Sequence, residues 1–132
     1  MKKLTLFLAT TSMMCFSTIA QVVVVVNPAM NETITNDEIA RIYTGRSSAL
    51  TPVNLRDSDT KRAIFDEKAV GRSSSQLKAY WSKLVFTGKG NPPKELASDA
   101  DVVSFVGSNE YAIGYIDAAN VTDQVKVIHT IN

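Results

Sequence analysis

The sequence predicts an α/β domain with a mostly parallel sheet flanked by helices. Val22 to Val26 is an unbroken run of five valines, which suits a central strand buried on both faces. The strand-like segments that follow are separated by helix-like ones, so the chain must cross over between strands. Both observations favour helices on the two faces of one sheet.

The helix after the first strand is predicted from its two ends. Thr35 and Glu38 form a capping box, and Gly45 supplies a stop signal. The residues of this helix predicted to face the core are Ile39, Ile42 and Tyr43.

A second strand and a second helix follow. The strand is predicted over Pro52 to Leu55, and the helix begins at a cap, Ser58 or Asp59, and ends at Gly71. In an α/β sheet, ligands bind beyond the carboxyl ends of strands. Asn27 to Pro28 and Arg56 to Ser58 are such ends, so the loop after the second strand is where we expect a site.

The clearest helical periodicity begins at Ser74 or Ser75. Its apolar residues recur at spacings of 0, 3, 4, 7 and 8, which predicts a core-facing stripe with Trp81 largely buried. The residues of this stripe are Leu77, Tyr80, Trp81, Leu84 and Val85. A glycine- and proline-rich loop follows the stripe. A short helix capped by Ser98 and Asp101 comes next, and then two strands, Ala112 to Ile116 and Val125 to Ile128.

The first twenty residues have the pattern of a secretory signal peptide. Lys2 and Lys3 precede an apolar run, and the segment ends in Thr18, Ile19 and Ala20. We therefore expect cleavage after Ala20 and a single exported, soluble, periplasmic domain over residues 21–132. The only cysteine of the chain lies inside this segment, which leaves the rest without disulfide or cysteine chemistry.

The charge balance excludes a general nucleic-acid binder. Removing Lys2 and Lys3 leaves 12 basic residues against 13 acidic ones, a formal charge of −1. Basic residues are most frequent from Arg41 to Arg72, which contains seven of them and four acidic ones. The loop after the second strand lies inside this locally basic third.

Enzyme chemistry is thinly supplied, and neither a metal site nor a cofactor is expected. His129 is the single histidine and lies on a predicted strand near the end of the chain. Asp99 and Asp101 stand at a helix start, where capping is their ordinary role. A metal-dependent hydrolase built on Asp57 or Asp59 is the enzymatic alternative, and we expect no catalytic residue.

The loop LRDSDTKRAIF instead suggests an anion site. Arg56 can offer a bidentate fork, Ser58 and Thr60 can donate from hydroxyl groups, and Lys61 adds positive charge at a helix start. Asp59 can satisfy the same helix-start donors itself, so the competing interpretation is a simple helix cap.

From Val22 onward, the chain resembles the single-lobe relatives of the phosphate-binding proteins of bacterial phosphate ABC transporters, within the periplasmic substrate-binding-protein superfamily. The resemblance rests on three segments, VVVVVNPAMNETITNDEIARIYTGR, QLKAYWSKLVFTGKGNPPKEL and NEYAIGYID. It implies a non-enzymatic domain like one lobe of a type II periplasmic binding protein. It also implies phosphate contacts at an Arg-x-Asp-x-Ser-Gly-Thr loop, whose counterpart here is Arg56 to Lys61. The Ser-Gly-Thr core of that loop is absent here, and Asp59 stands at a position where a phosphate would need to approach the backbone closely.

Two functions are therefore expected from the sequence. The first is a periplasmic solute-binding-type domain that holds a small, phosphate-like anion through Arg56, Ser58, Thr60 and Lys61, with a transporter permease, a sensor or a second copy as its partner. The second is a ligand-free interaction or sensory module of the cell envelope. Neither involves nucleic acid or membrane insertion.

Overall fold

A computed structural model describes residues 21–131 of the chain. A single five-stranded sheet organises these residues. The predicted signal peptide over residues 1–20 lies outside the described residues. Along the chain the elements are β1 (Val22–Val26), α1 (Asn36–Tyr43), β2 (Thr51–Leu55), α2 (Thr60–Phe65), a π-helical segment (Asp66–Val70), α3 (Ser74–Phe86), β3 (Lys94–Leu96), α4 (Asp99–Ser108), β4 (Ala112–Asp117), a 3-10 turn (Ala118–Asn120) and β5 (Lys126–Ile131).

The α/β class is confirmed, but the sheet is mixed. Its strand order is β3-β2-β4-β1-β5, in which β2 runs parallel to β3 and β4 while β1 runs antiparallel to β4 and β5. The prediction of a mostly parallel sheet holds for the direction of four of the five strands, and β1 is the one strand whose direction opposes the others. A run of buried valines specifies a strand covered on both faces, and it carries no information about direction.

The reversal of β1 also corrects the expected position of its end. Val26 pairs with Ile113 at the start of β4, and Pro52 at the start of β2 pairs with the same residue. The chain therefore leaves β1 at Asn27 at one end of the sheet, whereas β2 ends with Leu55 at the opposite end. Asn27 and the loop after β2 do not converge on one site.

The core is built on the five valines of β1, each at most 4% exposed, and on three aromatic rings that pack together. The rings of Phe65 and Tyr115 stack with centroids 4.0 Å apart, and Tyr43 meets Phe65 edge to face at 4.6 Å. Such pairs contribute about 0.5–1.5 kcal/mol beyond the area that they bury. This cluster joins α1, α2 and β4 into one packed unit.

Both buried tyrosines find hydrogen-bond partners. The Tyr43 hydroxyl donates to the Val53 carbonyl at 2.8 Å, and the Tyr115 hydroxyl donates to Asn54 Oδ1 at 2.8 Å while it accepts from the Leu55 N–H. Burial raises the pKa of the Tyr43 phenol well above its ordinary value, and burial also raises the pKa of Tyr115. Both groups stay neutral donors through the physiological range.

The predicted core stripe of α3 is largely wrong. Only Leu77 is buried, Trp81 is partly exposed, and Val85 is 50% exposed. The reason is the position of α3, whose main contact with another element is with the π-helical segment and not with the sheet. A helical period indicates an apolar face, and it cannot tell whether another element covers that face.

The remaining elements follow the sequence closely. Ser98 caps α4 by accepting from the Asp101 N–H, and the β5 strand is longer than predicted. The three-residue strand β3 was not predicted, because its residues lie at a partly exposed sheet edge and show no apolar alternation. Within residues 21–131, no helix combines the length and hydropathy needed to cross a membrane.

Candidate functional site

The loop between β2 and α2 lies at one end of the sheet, on the edge that is formed by the carboxyl ends of the parallel strands β2, β3 and β4. Because β2, β3 and β4 point in the same direction, Arg56, Ala97 and Ala118 all follow a strand end at this edge. This is the edge at which α/β folds ordinarily bind ligands. The structure thus places the predicted site residues at a suitable edge.

Asp59 acts as the cap of α2. Its Oδ1 atom accepts a hydrogen bond from the Lys61 backbone N–H at 2.9 Å. Of the two cap candidates, Ser58 and Asp59, the structure selects Asp59. One of the helix-start donors that an anion would need is therefore already bound by a carboxylate of the chain.

The Lys61 ammonium is also bound by carboxylates. It lies 3.1 Å from Asp59 Oδ1 and 3.6 Å from Asp99 Oδ1. Burial works to lower the pKa of Lys61, but the hydrogen bond and charge of Asp59 and the charge of Asp99 outweigh it, and the pKa rises. Lys61 therefore stays charged, and its charge is already neutralised by these partners.

Arg62 is the buried centre of a second ion-pair cluster. Its guanidinium approaches Glu95 at 2.8 Å, Asp57 at 3.0 Å and the buried Asp66 at 3.4 Å, and it donates to the Leu55 carbonyl. Burial works to lower the pKa of Arg62, while the Glu95 hydrogen bond and the Asp66 charge raise it overall. This arginine joins the end of β2 to α2 and β3, which is a structural role.

The charge around the loop is acidic once the fold is formed. The loop and its ion-pair partners contain three basic and five acidic side chains, which are Arg56, Lys61, Arg62, Asp57, Asp59, Asp66, Glu95 and Asp99. The basic character of Arg41 to Arg72 in the sequence is thus offset by carboxylates from β3 and α4. Sequence order alone could not show that Glu95 and Asp99 approach this loop.

Three of the predicted anion ligands remain free. Arg56, Ser58 and Thr60 are exposed, and within residues 21–131 none of their side chains makes a hydrogen bond or an ion pair. They lie within one five-residue segment that ends at the first residue of α2. The arrangement can offer a guanidinium and two hydroxyl groups to an anion from the solvent side.

A cleft of about 550 Å³ adjoins the loop, and its lining includes Asp59, Lys61, Asp99, Asn120 and Thr122. Asp99 is buried at its inner wall, where Oδ2 accepts from the Asp117 N–H and from Asn120 Nδ2. The other oxygen, Oδ1, has no hydrogen-bond partner among residues 21–131 and faces the Lys61 ammonium. Sequence reasoning gave Asp99 a capping role and did not identify Asn120.

Among residues 21–131, no group of three or more histidine, cysteine, aspartate or glutamate side chains is placed to hold a metal ion. His129 lies on β5 at an edge of the sheet, away from the loop.

Comparison with known proteins identifies the fold. No protein-family model and no curated protein sequence matches this chain. Among solved structures, an ABC-type phosphate transport receptor from Vibrio cholerae superposes with a TM-score of 0.64 at 20% identity, over 83% of this chain and 46% of the receptor.

Two further solved structures show the same likeness. A protein described as a phosphate ABC transporter substrate-binding protein from Clostridium perfringens, with bound phosphate, has a TM-score of 0.63 at 23% identity over 83% of this chain and 45% of its own. PstS from Borrelia burgdorferi has a TM-score of 0.60 at 14% identity over 83% of this chain and 47% of its own. This chain therefore has the fold of a phosphate ABC transporter substrate-binding protein over less than half of that protein's length, as expected of one lobe.

Proposed function

We propose that this chain is an exported, non-enzymatic solute-binding-type domain that engages a small anion such as phosphate at the loop between β2 and α2. The observation that carries the proposal is the set of free donors at Arg56, Ser58 and Thr60, at the ligand-binding edge of the sheet. The Clostridium perfringens structure, which shares the fold, holds phosphate.

The chemistry of these three residues suits an exposed oxyanion. The planar guanidinium of Arg56 can donate two parallel hydrogen bonds, and the two hydroxyl groups can donate to further oxygens. The nearby carboxylates of Asp57 and Asp59 are engaged by Arg62 and Lys61, which reduces their repulsion of an anion.

Exposure makes such binding weak. Water competes for each donor, and in high dielectric a charge pair contributes little. We propose that a transporter permease, a sensor protein or a second copy of the chain supplies the opposite wall of the site. Lys61 then contributes positive electrostatic potential to the site and does not contact the anion directly.

Isothermal titration with phosphate and with sulfate tests the anion site. Arg56→Ala should weaken binding by about 1.5–3 kcal/mol, the contribution of a hydrogen bond to a charged group. Asp59→Ser should strengthen it, because the hydroxyl can still cap α2 while the competing negative charge is gone. Arg41→Ala is the matched control, since Arg41 is an exposed arginine on α1 away from the loop.

A second function, a ligand-free interaction module, is favoured by the ion pairs themselves. Asp59 already accepts from the Lys61 backbone N–H and pairs with the Lys61 ammonium, so a carboxylate of the chain binds two groups that an anion would otherwise bind. On this function Asp59→Ala costs about 0.5–2 kcal/mol of stability and leaves anion binding unchanged. The absence of anion heat in wild type, Asp59→Ser and Arg56→Ala alike would remove the anion site and leave this function.

Export is part of the proposal and has its own test. The full reading frame, expressed in a bacterium, should give periplasmic protein with an N-terminus at or near Gln21, read by intact-mass spectrometry. Periplasmic protein that keeps Met1 would contradict the signal peptide.

A further inference from the structure

A second cleft, of about 600 Å³, lies between α3 and the start of β2. The loop after α1, the loop before β3 and the side chain of Phe105 complete its walls. None of residues 55–62 lines it, so it is separate from the candidate anion site. Its size falls within the range of ordinary ligand-binding clefts, about 300–1,000 Å³.

Trp81 forms a fixed aromatic wall of this cleft. The indole lies so close to two glycines that a Cβ atom at Gly45 would come within 2.9 Å of it, and one at Gly90 within 3.4 Å. Next to it, the Tyr80 ring meets the indole edge to face at 5.4 Å, while its hydroxyl donates to the Thr44 carbonyl at 2.6 Å. Trp81 is therefore held in place although it is partly exposed.

The charge of the cleft has one sign. Its charged lining residues are Lys89 and Lys94, and its lining contains no aspartate or glutamate. Neither ammonium takes part in an ion pair within residues 21–131, and that of Lys94 stands 5.5 Å from the centre of the Phe105 ring. The cleft thus combines an apolar, aromatic surface with two cations open to a partner.

The same sign continues along the sequence around α3. From Lys68 to Lys94 the chain contains six basic residues and no acidic one. The six are Lys68, Arg72, Lys78, Lys83, Lys89 and Lys94. Such a stretch attracts acidic partners and accelerates their association at low ionic strength.

Helix α3 also exposes apolar side chains that do not line the cleft. At the end of α3, Val85 is 50% exposed and Phe86 is 93% exposed. Large exposed apolar side chains next to a cleft are typical of protein interaction surfaces, where aromatic residues contribute most of the binding energy. A cleft with exposed apolar side chains on the same helix favours a peptide over a small solute, and the concave shape of the cleft favours a peptide over a flat membrane.

We infer that this cleft docks an acidic peptide segment of a partner protein, with an aromatic or aliphatic side chain packed against Trp81 and carboxylates placed at Lys89 and Lys94. The inference deepens the second function proposed above, because it gives the interaction module a surface and a partner chemistry. It does not depend on the anion loop. Charge complementarity sets the sign of the peptide, and the aromatic wall sets its apolar anchor.

Selection from a displayed library of random short peptides, with the domain over residues 21–132 as bait, tests the inference. Enriched sequences should combine aspartate or glutamate with phenylalanine or leucine. Trp81 is the only tryptophan of the chain, so a synthetic peptide of the enriched sequence that lacks tryptophan should shift its fluorescence emission on binding.

A pair of charge reversals locates the binding. Lys89→Glu with Lys94→Glu should lower the affinity for the synthetic peptide by at least about tenfold, and Trp81→Ala should lower this affinity as well. Lys78→Glu with Lys83→Glu is the matched control, because both lysines are exposed on α3 and neither lines the cleft. At 0.15 M salt or above, where charges outside the cleft are screened, the control should retain affinity within about twofold of wild type.

Three results would overturn the inference. They are enrichment of no acidic sequence, affinity that the Lys89 and Lys94 reversals leave unchanged, and binding to phosphatidylglycerol vesicles in place of the peptide. Phosphate titration of the Lys89 and Lys94 variant separates this cleft from the anion loop. This variant should no longer bind the peptide, whereas any heat of phosphate binding that the wild type gives should be unchanged.

Discussion

Helices α1 and α3 have similar apolar periods and different surroundings. The eight residues of α1 bury Ile39, Ile42 and Tyr43, whereas the thirteen residues of α3 bury only Leu77. The first helix belongs to the core, and the second lies beside the sheet on the π-helical segment. The comparison teaches that the period of a helix marks which face is apolar, while topology decides whether that face becomes core or surface.

The largest expected difference between the two regions is in stability. Phe65→Ala should cost about 3–5 kcal/mol, because it empties a fully buried aromatic position beside Tyr43. Trp81→Ala should cost only about 1–2 kcal/mol, since the indole is partly exposed. Urea unfolding of both variants measures the difference. Equal losses would mean that α3 is part of the core after all.

A smaller effect should separate two glycines that end helical segments. Gly45 and Gly71 both have positive φ, 74° and 84°, so alanine is strained at either by about 1–2 kcal/mol. Only Gly45 abuts the Trp81 ring, and nothing lies within 4 Å of a Cβ atom at Gly71. Gly45→Ala should therefore cost about 1–3 kcal/mol more than Gly71→Ala and should change Trp81 emission. Identical losses would show that the indole yields freely.

The smallest effect concerns the alkaline limb of stability. The pKa of Tyr43 is raised by burial, so above pH 10 the native state keeps a proton that the unfolded state releases. Stability from this group is complete below pH 10 and falls as pH rises, by about 1.4 kcal/mol per pH unit. Tyr43→Phe should lessen the slope by that amount. Urea midpoints between pH 9 and 11 supply the comparison.

Much of the fold was predictable from local patterns. The valine strand, the first helix and the Ser98 cap all appear where the sequence placed them, because each depends on residues within one or two turns. The direction of β1 was not predictable, since it depends on pairing with strands that lie far along the chain. The short edge strand β3 was missed because its three residues show no apolar alternation.

The position of the candidate loop was predictable from the sequence, and its ion pairs were predictable only in part. The sequence placed Arg56, Ser58 and Thr60 at a strand end, and the structure keeps them there, exposed. It also named Asp59 as one of two cap candidates. The spacing of four between Arg62 and Asp66 could have signalled their ion pair. The approach of Glu95 depends on parallel pairing of β2 with β3, which no local pattern contains.

The reversed strand β1 has a consequence for how the chain reaches its fold. Val22 pairs with Ile131, so the most buried strand of the sheet gains one neighbour only when the last described strand arrives, roughly 100 residues later. During synthesis, the five valines stay without their full set of neighbours until those strands arrive, and an apolar strand in that state is prone to aggregation. Once folded, the start of β1 lies beside the end of β5, an arrangement that tolerates circular permutation and insertion of a domain into another chain.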